Sequence, residues 1–214
     1  MSRGGLCALA AWIAVGLPAA SSAAAAAPAA PAPAATAVAP NALAQGAMSL
    51  GNPHAPVTVI EYASVGCPHC AVWANQVFPD FRSKYIDSGK VRFEFHEMLT
   101  GNAALAAAGF LTARCAPPGK YFQVVDDVFA QQDEIGRTGI EALEKIGEHA
   151  GLTREKFTAC LQDQAALATL SDRTLSDAKA HGVTGTPTFF VGGQKLDGEQ
   201  TLEALDAAIA HARR

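Results

Sequence analysis

The sequence predicts an α/β fold in which one mixed sheet is interrupted by a block of helices. Three observations predict it. The β-branched run Val57-Thr58-Val59-Ile60 is followed by a helical pattern and then by the alternating stretch Val91 to Phe95, a strand-helix-strand order. From Asn102 to about Gly182, apolar residues recur at helical spacing with no strand signal among them. Strand character returns at Thr188 to Val191, ahead of a turn and a last helix. No internal repeat is evident.

Residues 1–27 carry one charge, Arg3, then the apolar run Leu6 to Leu17, a break at Pro18 and small residues through Ala27, the pattern of a cleaved secretory signal peptide. The run is shorter than the roughly 20 residues a membrane span needs. Cys7 falls in the removed part. Residues 28–47 are almost all Ala and Pro without charge; such a stretch cannot bury enough surface to repay its ordering entropy, so a disordered linker is expected.

Val57 to Ala63 reads as a buried strand, bounded by Asn52-Pro53 and Gly66, that delivers Cys67 to its C-terminal end. The helix from Cys67 carries Trp73, Val77 and Phe81 on one face, widened by Phe78, with a kink expected at Pro79. This stripe is core rather than a cofactor box. Val91 to Phe95 alternates apolar residues with Arg92 and Glu94. Helical patterns then cover Ala103 to Cys115, Tyr121 to Gln131, Ile140 to Ala150 and Arg154 to His181, punctuated by Pro117-Pro118, Gly136 and Gly151. Thr188 to Val191 and Gln194 to Leu196 form a hairpin around Gly192-Gly193. In the final helix Leu202, Leu205 and Ile209 point inward while Glu203 and Asp206 face out. Residues 48–99 and 183–214 thus make the sheet-bearing core, and 100–182 a helical insertion.

The chemistry is concentrated in Cys67-Pro68-His69-Cys70. Two cysteines three apart in a first helical turn lie on one face and can close or reopen a small disulfide ring. A thiolate at a helix N-terminus faces unpaired backbone N–H groups, which lower its pKa to roughly 3.5–7.5 in such motifs. Cys67 is therefore the expected nucleophile, and Cys70, one turn deeper, the resolving thiol. Pro68 suits a first turn. His69 places a polar ring beside the thiolate and favours the reduced form, which makes the disulfide a stronger oxidant. Half a zinc site has the same spacing, but the second pair it needs is missing: Cys115 and Cys160 stand 45 residues apart. The other histidines (His54, His96, His149, His181 and His211) lack ligand spacing, so neither metal nor cofactor is expected.

Removing the signal leaves four of the five cysteines, an even number suited to an oxidising compartment such as the bacterial periplasm. The formal charge of −4 becomes one unit more negative without Arg3, which argues against nucleic acid or anionic lipid as partners.

The sequence resembles the DsbA-like periplasmic thiol-disulfide oxidoreductases of the thioredoxin superfamily. The resemblance covers roughly residues 48–214. It rests on Gly51-Asn52-Pro53 with Ala55-Pro56-Val57-Thr58, on Glu61 six residues before Cys67, on Cys67-Pro68-His69-Cys70, and on Gly185-Thr186-Pro187-Thr188-Phe189-Phe190-Val191. It implies a thioredoxin fold, a central mixed sheet flanked by helices, with an inserted helical domain. It also implies a cis peptide before Pro187, facing the dithiol, where Thr186 and Pro187 hold an extended substrate; a trans proline opening a strand is the plainer reading. It makes Glu61 an ionisable group under Cys70 whose pKa burial would raise, against the alternative of a solvated edge glutamate. Arg92, on the neighbouring strand, reads first as an exposed arginine, with pairing to Glu61 as the alternative. Cys115 and Cys160, in separate predicted helices, are expected to form a structural disulfide worth roughly 4 kcal/mol in the entropic account. The resemblance permits that bridge without requiring it, and two free buried thiols remain the alternative.

The resulting expectation is an oxidase that donates the Cys67-Cys70 disulfide to reduced exported proteins and is reoxidised by a DsbB-like membrane partner, the partner being implied by resemblance alone. The rivals are an isomerase or reductase kept reduced by a DsbD-like membrane protein, and a chaperone-like binding module without redox turnover. Isomerases of this superfamily carry an added dimerisation domain, and the Ala/Pro-rich stretch is a poor substitute, so a monomeric oxidase is expected.

Overall fold

The computed structural model describes residues 46–214. The signal peptide and nearly all of the Ala/Pro-rich segment lie outside the described residues.

The chain opens with strand β1 (Met48–Leu50) and β2 (Val57–Ala63). Helix α1 (Pro68–Gln76) follows, then the short α2 (Phe78–Phe81) and a π-helical turn at Arg82–Ile86. Strand β3 (Val91–Glu97) leads into the insertion: α3 (Ala103–Cys115), α4 (Tyr121–Ala130), α5 (Gln132–Thr138), α6 (Ile140–His149), α7 (Arg154–Gln162) and α8 (Gln164–His181). Strands β4 (Thr188–Val191) and β5 (Gln194–Asp197) and helix α9 (Leu202–Ala212) complete the fold.

The five strands lie in the order β1-β3-β2-β4-β5. Strands β2 and β3 are parallel, joined by the α1 crossover, and every other pairing is antiparallel. Central β2 sets Glu61 between Phe95 on one neighbour and Phe189 on the other. Period-2 alternation sends Val57, Val59 and Glu61 to the face covered by α1, where Trp73, Phe81, Phe93 and Phe189 are buried. Tyr62 points to the opposite face and its hydroxyl meets His181 Nδ1 at 2.8 Å. At the β4–β5 hairpin, Gly192 and Gly193 take φ of +56° and +84°, the left-handed pair that a two-residue turn requires.

Several elements depart from the sequence expectation. The helix after Cys67 is broken rather than kinked: α1 ends at Gln76 and α2 restarts with Pro79 in its first turn. Pro79 cannot donate to the Asn75 carbonyl, and its ring disfavours helical backbone at Phe78. Phe78, not Val77, takes the more buried place. Strand β1 was not anticipated, since three residues carry no readable period. Gly136 does not end a helix; α5 runs through it, and the break falls at Gly139, φ +69°. The predicted helix 154–181 is two helices, because the Asp163 carboxylate caps the second by accepting from Ala166 N at 2.9 Å. Asp206 does not simply face solvent: its carboxylate accepts from the Tyr85 hydroxyl and Lys84 Nζ, each at 2.6 Å, which ties α9 to the π-helical turn.

Candidate active site

Strand β2 ends in a turn whose groups are closely packed. The Ser64 hydroxyl accepts from Gly66 N at 3.1 Å and donates to the Thr100 carbonyl at 2.8 Å, while Asn102 N donates to the Gly66 carbonyl at 2.8 Å. A β-carbon at Gly66 would come within 2.2 Å of the Asn102 carbonyl oxygen, so the two loops can meet here only if this residue has no side chain. From the insertion, Gln132 Nε2 donates to the carbonyls of Val65 at 2.7 Å and Cys67 at 3.2 Å. The turn is thereby held from three sides before the dithiol begins.

Cys67 is the N-cap of α1 with extended backbone, and Pro68 occupies the first turn, where no N–H is missed. Both sulfurs are reduced; Cys67 is 6 % exposed and Cys70 fully buried. The surroundings drive the two thiols apart. Cys67 is held down to about 5, first by the hydrogen bond from the Cys70 side chain, then by Thr186 and by the backbone N–H groups of Cys70 and His69, against the opposing effect of burial. Cys70 is pushed far up, chiefly by burial, with the bond to Cys67 and the nearby Glu61 acting the same way.

Opposite the dithiol, the Thr186-Pro187 peptide is cis. The Cys67 thiol lies 3.4 Å from the Thr186 carbonyl, and the Thr186 and Thr100 hydroxyls are 2.6 Å apart. Glu61 is 2 % exposed on β2 and lines a small cavity with Trp73, Phe93, Phe95 and Asp126. Burial raises its pKa, and the Asp126 and Cys67 charges add to the effect. Asp126, on α4, is itself raised to about 6, chiefly by burial.

One expectation is corrected, and one alternative is excluded. The His69 ring does not serve the thiolate: it is 74 % exposed and its Nδ1 is 2.6 Å from Glu199 Oε1, so His69 acts on Cys67 through its backbone N–H. The carboxylate of Glu199, in the loop before α9, competes for the ring at the surface. Arg92 does not pair with Glu61. It bonds Glu94 at 2.9 Å, because residues 92 and 94 share the sheet face opposite Glu61. Cys115 on α3 and Cys160 on α7 are joined by a disulfide, with Cα atoms 6.4 Å apart. Among the described residues no group of three or more His, Cys, Asp or Glu side chains converges as a metal site would require.

Sequence reasoning missed Ser64, Thr100, Asp126, Gln132 and Glu199. Each reaches the site from a loop or a distant helix. The one available signal was Thr100-Gly101-Asn102, a turn-forming stretch ahead of the helical block.

With a dithiol at the N-terminus of α1, a cis proline facing it and a block of helices between β3 and β4, the chain can be set beside known proteins. A family model described as Thioredoxin matches residues 43–211. The crystal structure of alpha-DsbA1 from Wolbachia pipientis is similar at TM-score 0.70 and 26 % identity, over 78 % of this chain and 90 % of that one. This chain is a DsbA-like member of the thioredoxin superfamily. A thioredoxin-like oxidoreductase from Silicibacter pomeroyi aligns at TM-score 0.60 and 26 % identity, over 78 % of this chain and 92 % of that one. A Rickettsia bellii protein named as a protein-disulfide oxidoreductase is 33 % identical over 168 residues, 77 % of this chain. The chain spans 64 % of that relative's length.

Proposed function

We propose that this DsbA-like chain is a thiol-disulfide oxidoreductase that works as an oxidase, passing the Cys67-Cys70 disulfide to reduced exported proteins. The observation that carries this reading is the opposed tuning of the two thiols: an N-capping Cys67 low enough to leave as a thiolate at neutral pH, and a buried Cys70 that strongly prefers its proton.

The exchange follows from that asymmetry. A substrate thiolate attacks Cys67 Sγ; the Cys67-Cys70 bond breaks, its electron pair goes to Cys70, and Cys70 takes a proton. Glu61, buried beneath the pair and inclined to be neutral, is the group suited to supply it. A second substrate thiolate then attacks the substrate sulfur of the mixed disulfide and expels Cys67 as a thiolate. The substrate has lost two electrons and two protons, and the protein holds a reduced dithiol. Thr186 and the cis Pro187, against Cys67, would present an extended substrate segment to it. Reoxidation would fall to a DsbB-like membrane oxidase. No helix among the described residues is long and apolar enough to cross a membrane. The N-terminal signal pattern and the Cys115-Cys160 disulfide support a periplasmic site of action.

The test is trapping. With a reduced exported protein as substrate and an oxidant present, Cys70→Ser should accumulate a mixed disulfide through Cys67, and Cys67→Ser should accumulate none. Equal trapping by the two variants, or none by either, would remove the assigned roles.

A further inference from the structure

We infer that Thr100 is a positioning residue of the dithiol: its hydroxyl donates to Thr186 Oγ1 and so leaves the Thr186 hydroxyl proton free to point at the Cys67 sulfur. The inference rests on the oxidoreductase reading above and extends it to a residue outside the motif.

Thr100 and Thr186 each carry one hydroxyl proton, and their oxygens are 2.6 Å apart, so one of them donates to the other. While Cys67 is a thiol, its own proton can go to the Thr186 carbonyl at 3.4 Å. Once Cys67 is a thiolate it has only acceptor capacity, and the Thr186 side chain is among the groups that stabilise it. Thr186 can meet that demand only if Thr100 is the donor in the hydroxyl pair. The chain then runs Thr100 to Thr186 to Cys67, each bond polarising the next. In the disulfide state Cys67 carries no charge, so the chain contributes little. Thr100 therefore favours the reduced form selectively, which makes the disulfide more oxidising.

The fold fixes Thr100 for this task. Ser64 Oγ donates to its carbonyl at 2.8 Å and accepts from its N–H at 3.4 Å, clamping the residue from the end of β2. Gly101, with φ +68°, turns the chain immediately afterwards, against the backbone of Gly66 and Cys67. Thr100 and Thr186 are both partly buried, so water competes less for their hydroxyls. The titratable groups coupled to Cys67 are Cys70 on α1 and Glu61 on β2.

The experiment compares wild type, Thr100→Val, Thr100→Ser, Thr186→Val and the double valine variant, each as the whole mature protein. Two quantities are read: thiolate absorbance of reduced Cys67 against pH, and the equilibrium constant with glutathione. Thr100→Val should raise the Cys67 midpoint by about one pH unit and make the disulfide about tenfold less readily reduced, equivalent to about 30 mV. Thr100→Ser should behave as wild type, and Thr100→Val should add nothing in the Thr186→Val background. A midpoint unmoved by Thr100→Val, or an equal shift in both backgrounds, would overturn the inference. Should Thr100→Val fail to fold, Thr100→Ala against Thr100→Ser makes the same comparison. A wild type with no thiolate below neutral pH would sink the oxidoreductase reading itself, whereas a low midpoint indifferent to Thr100 sinks this inference alone.

Discussion

Cys67 and Cys70 are the same residue three positions apart, and their environments separate them completely. Cys67 collects donors at the open end of α1, while Cys70 sits where no water reaches and a carboxyl lies nearby. A Cys67 midpoint of about 5, below the thiol's ordinary value, means that the folded reduced protein releases a proton that the unfolded chain keeps. That stabilisation is fully present above the unfolded thiol pKa, near 9, and is lost as pH falls through 5. The reduced form should therefore gain stability over the disulfide form as pH rises from 5 to 9, read as diverging urea midpoints; parallel midpoints would contradict it. Glu61 has the opposite sign. Its folded pKa is raised, so the stability it contributes is complete below about 4.5 and declines as pH rises. Glu61→Gln should accordingly unfold at a higher temperature than wild type at pH 7, with the difference closing toward pH 4.5, while single-turnover reduction of the disulfide slows. Of these residues the sequence revealed those in contiguous motifs, namely Cys67, Cys70, Glu61 and Pro187. Thr100 and Asp126 were illegible, because nothing local marks a hydroxyl or carboxyl that acquires its role only when loops and helices distant in the sequence meet.

The elements show how the insertion is fastened to the sheet domain. Gln132 on α5 donates to the carbonyls that flank the active-site turn, and Asn75 on α1 donates to the Phe129 carbonyl at the end of α4 at 3.1 Å. Within the insertion the Cys115-Cys160 disulfide closes a loop over a sequence separation of 45. Replacing both cysteines by Ala should cost about 4 kcal/mol in urea unfolding by the loop-entropy account. It should leave the Cys67 titration in place, since neither cysteine is among the groups that tune Cys67. A titration that moved with this bridge would mean that the insertion reaches the thiolate by a path this geometry lacks. Helix α3 was legible from end to end because Asn102 caps it, accepting from Leu105 N at 3.1 Å, and Pro117-Pro118 follows it. Strand β1 and helix α5 were not: one is too short to show a period, and the other contains an exposed glycine that reads as a break.

Across the molecule, a buried charge network joins the two parts. Glu97, at the end of β3, accepts from Arg114 Nε on α3 at 2.8 Å and from the Tyr121 hydroxyl on α4 at 2.8 Å, and it also pairs with Arg173 on α8. Buried ion pairs are weak evidence of net stability, but a carboxylate shared by three helices fixes how they dock on the strand that carries it. Nothing local in the sequence marks Glu97 for this role, since its partners lie 17, 24 and 76 residues away. This architecture places Cys67 where its ionised form is favoured and Cys70 where its protonated form is favoured, which is the condition for a disulfide that is easily given away. The most direct test equilibrates the mature protein in glutathione buffers, traps its thiols by alkylation and reads the Cys67-Cys70 reduction potential by mass spectrometry. The proposed oxidase reading predicts a value near the oxidising end known for DsbA, about −120 mV; a value near that of thioredoxin, about −270 mV, would contradict an oxidase and leave a reductant in its place.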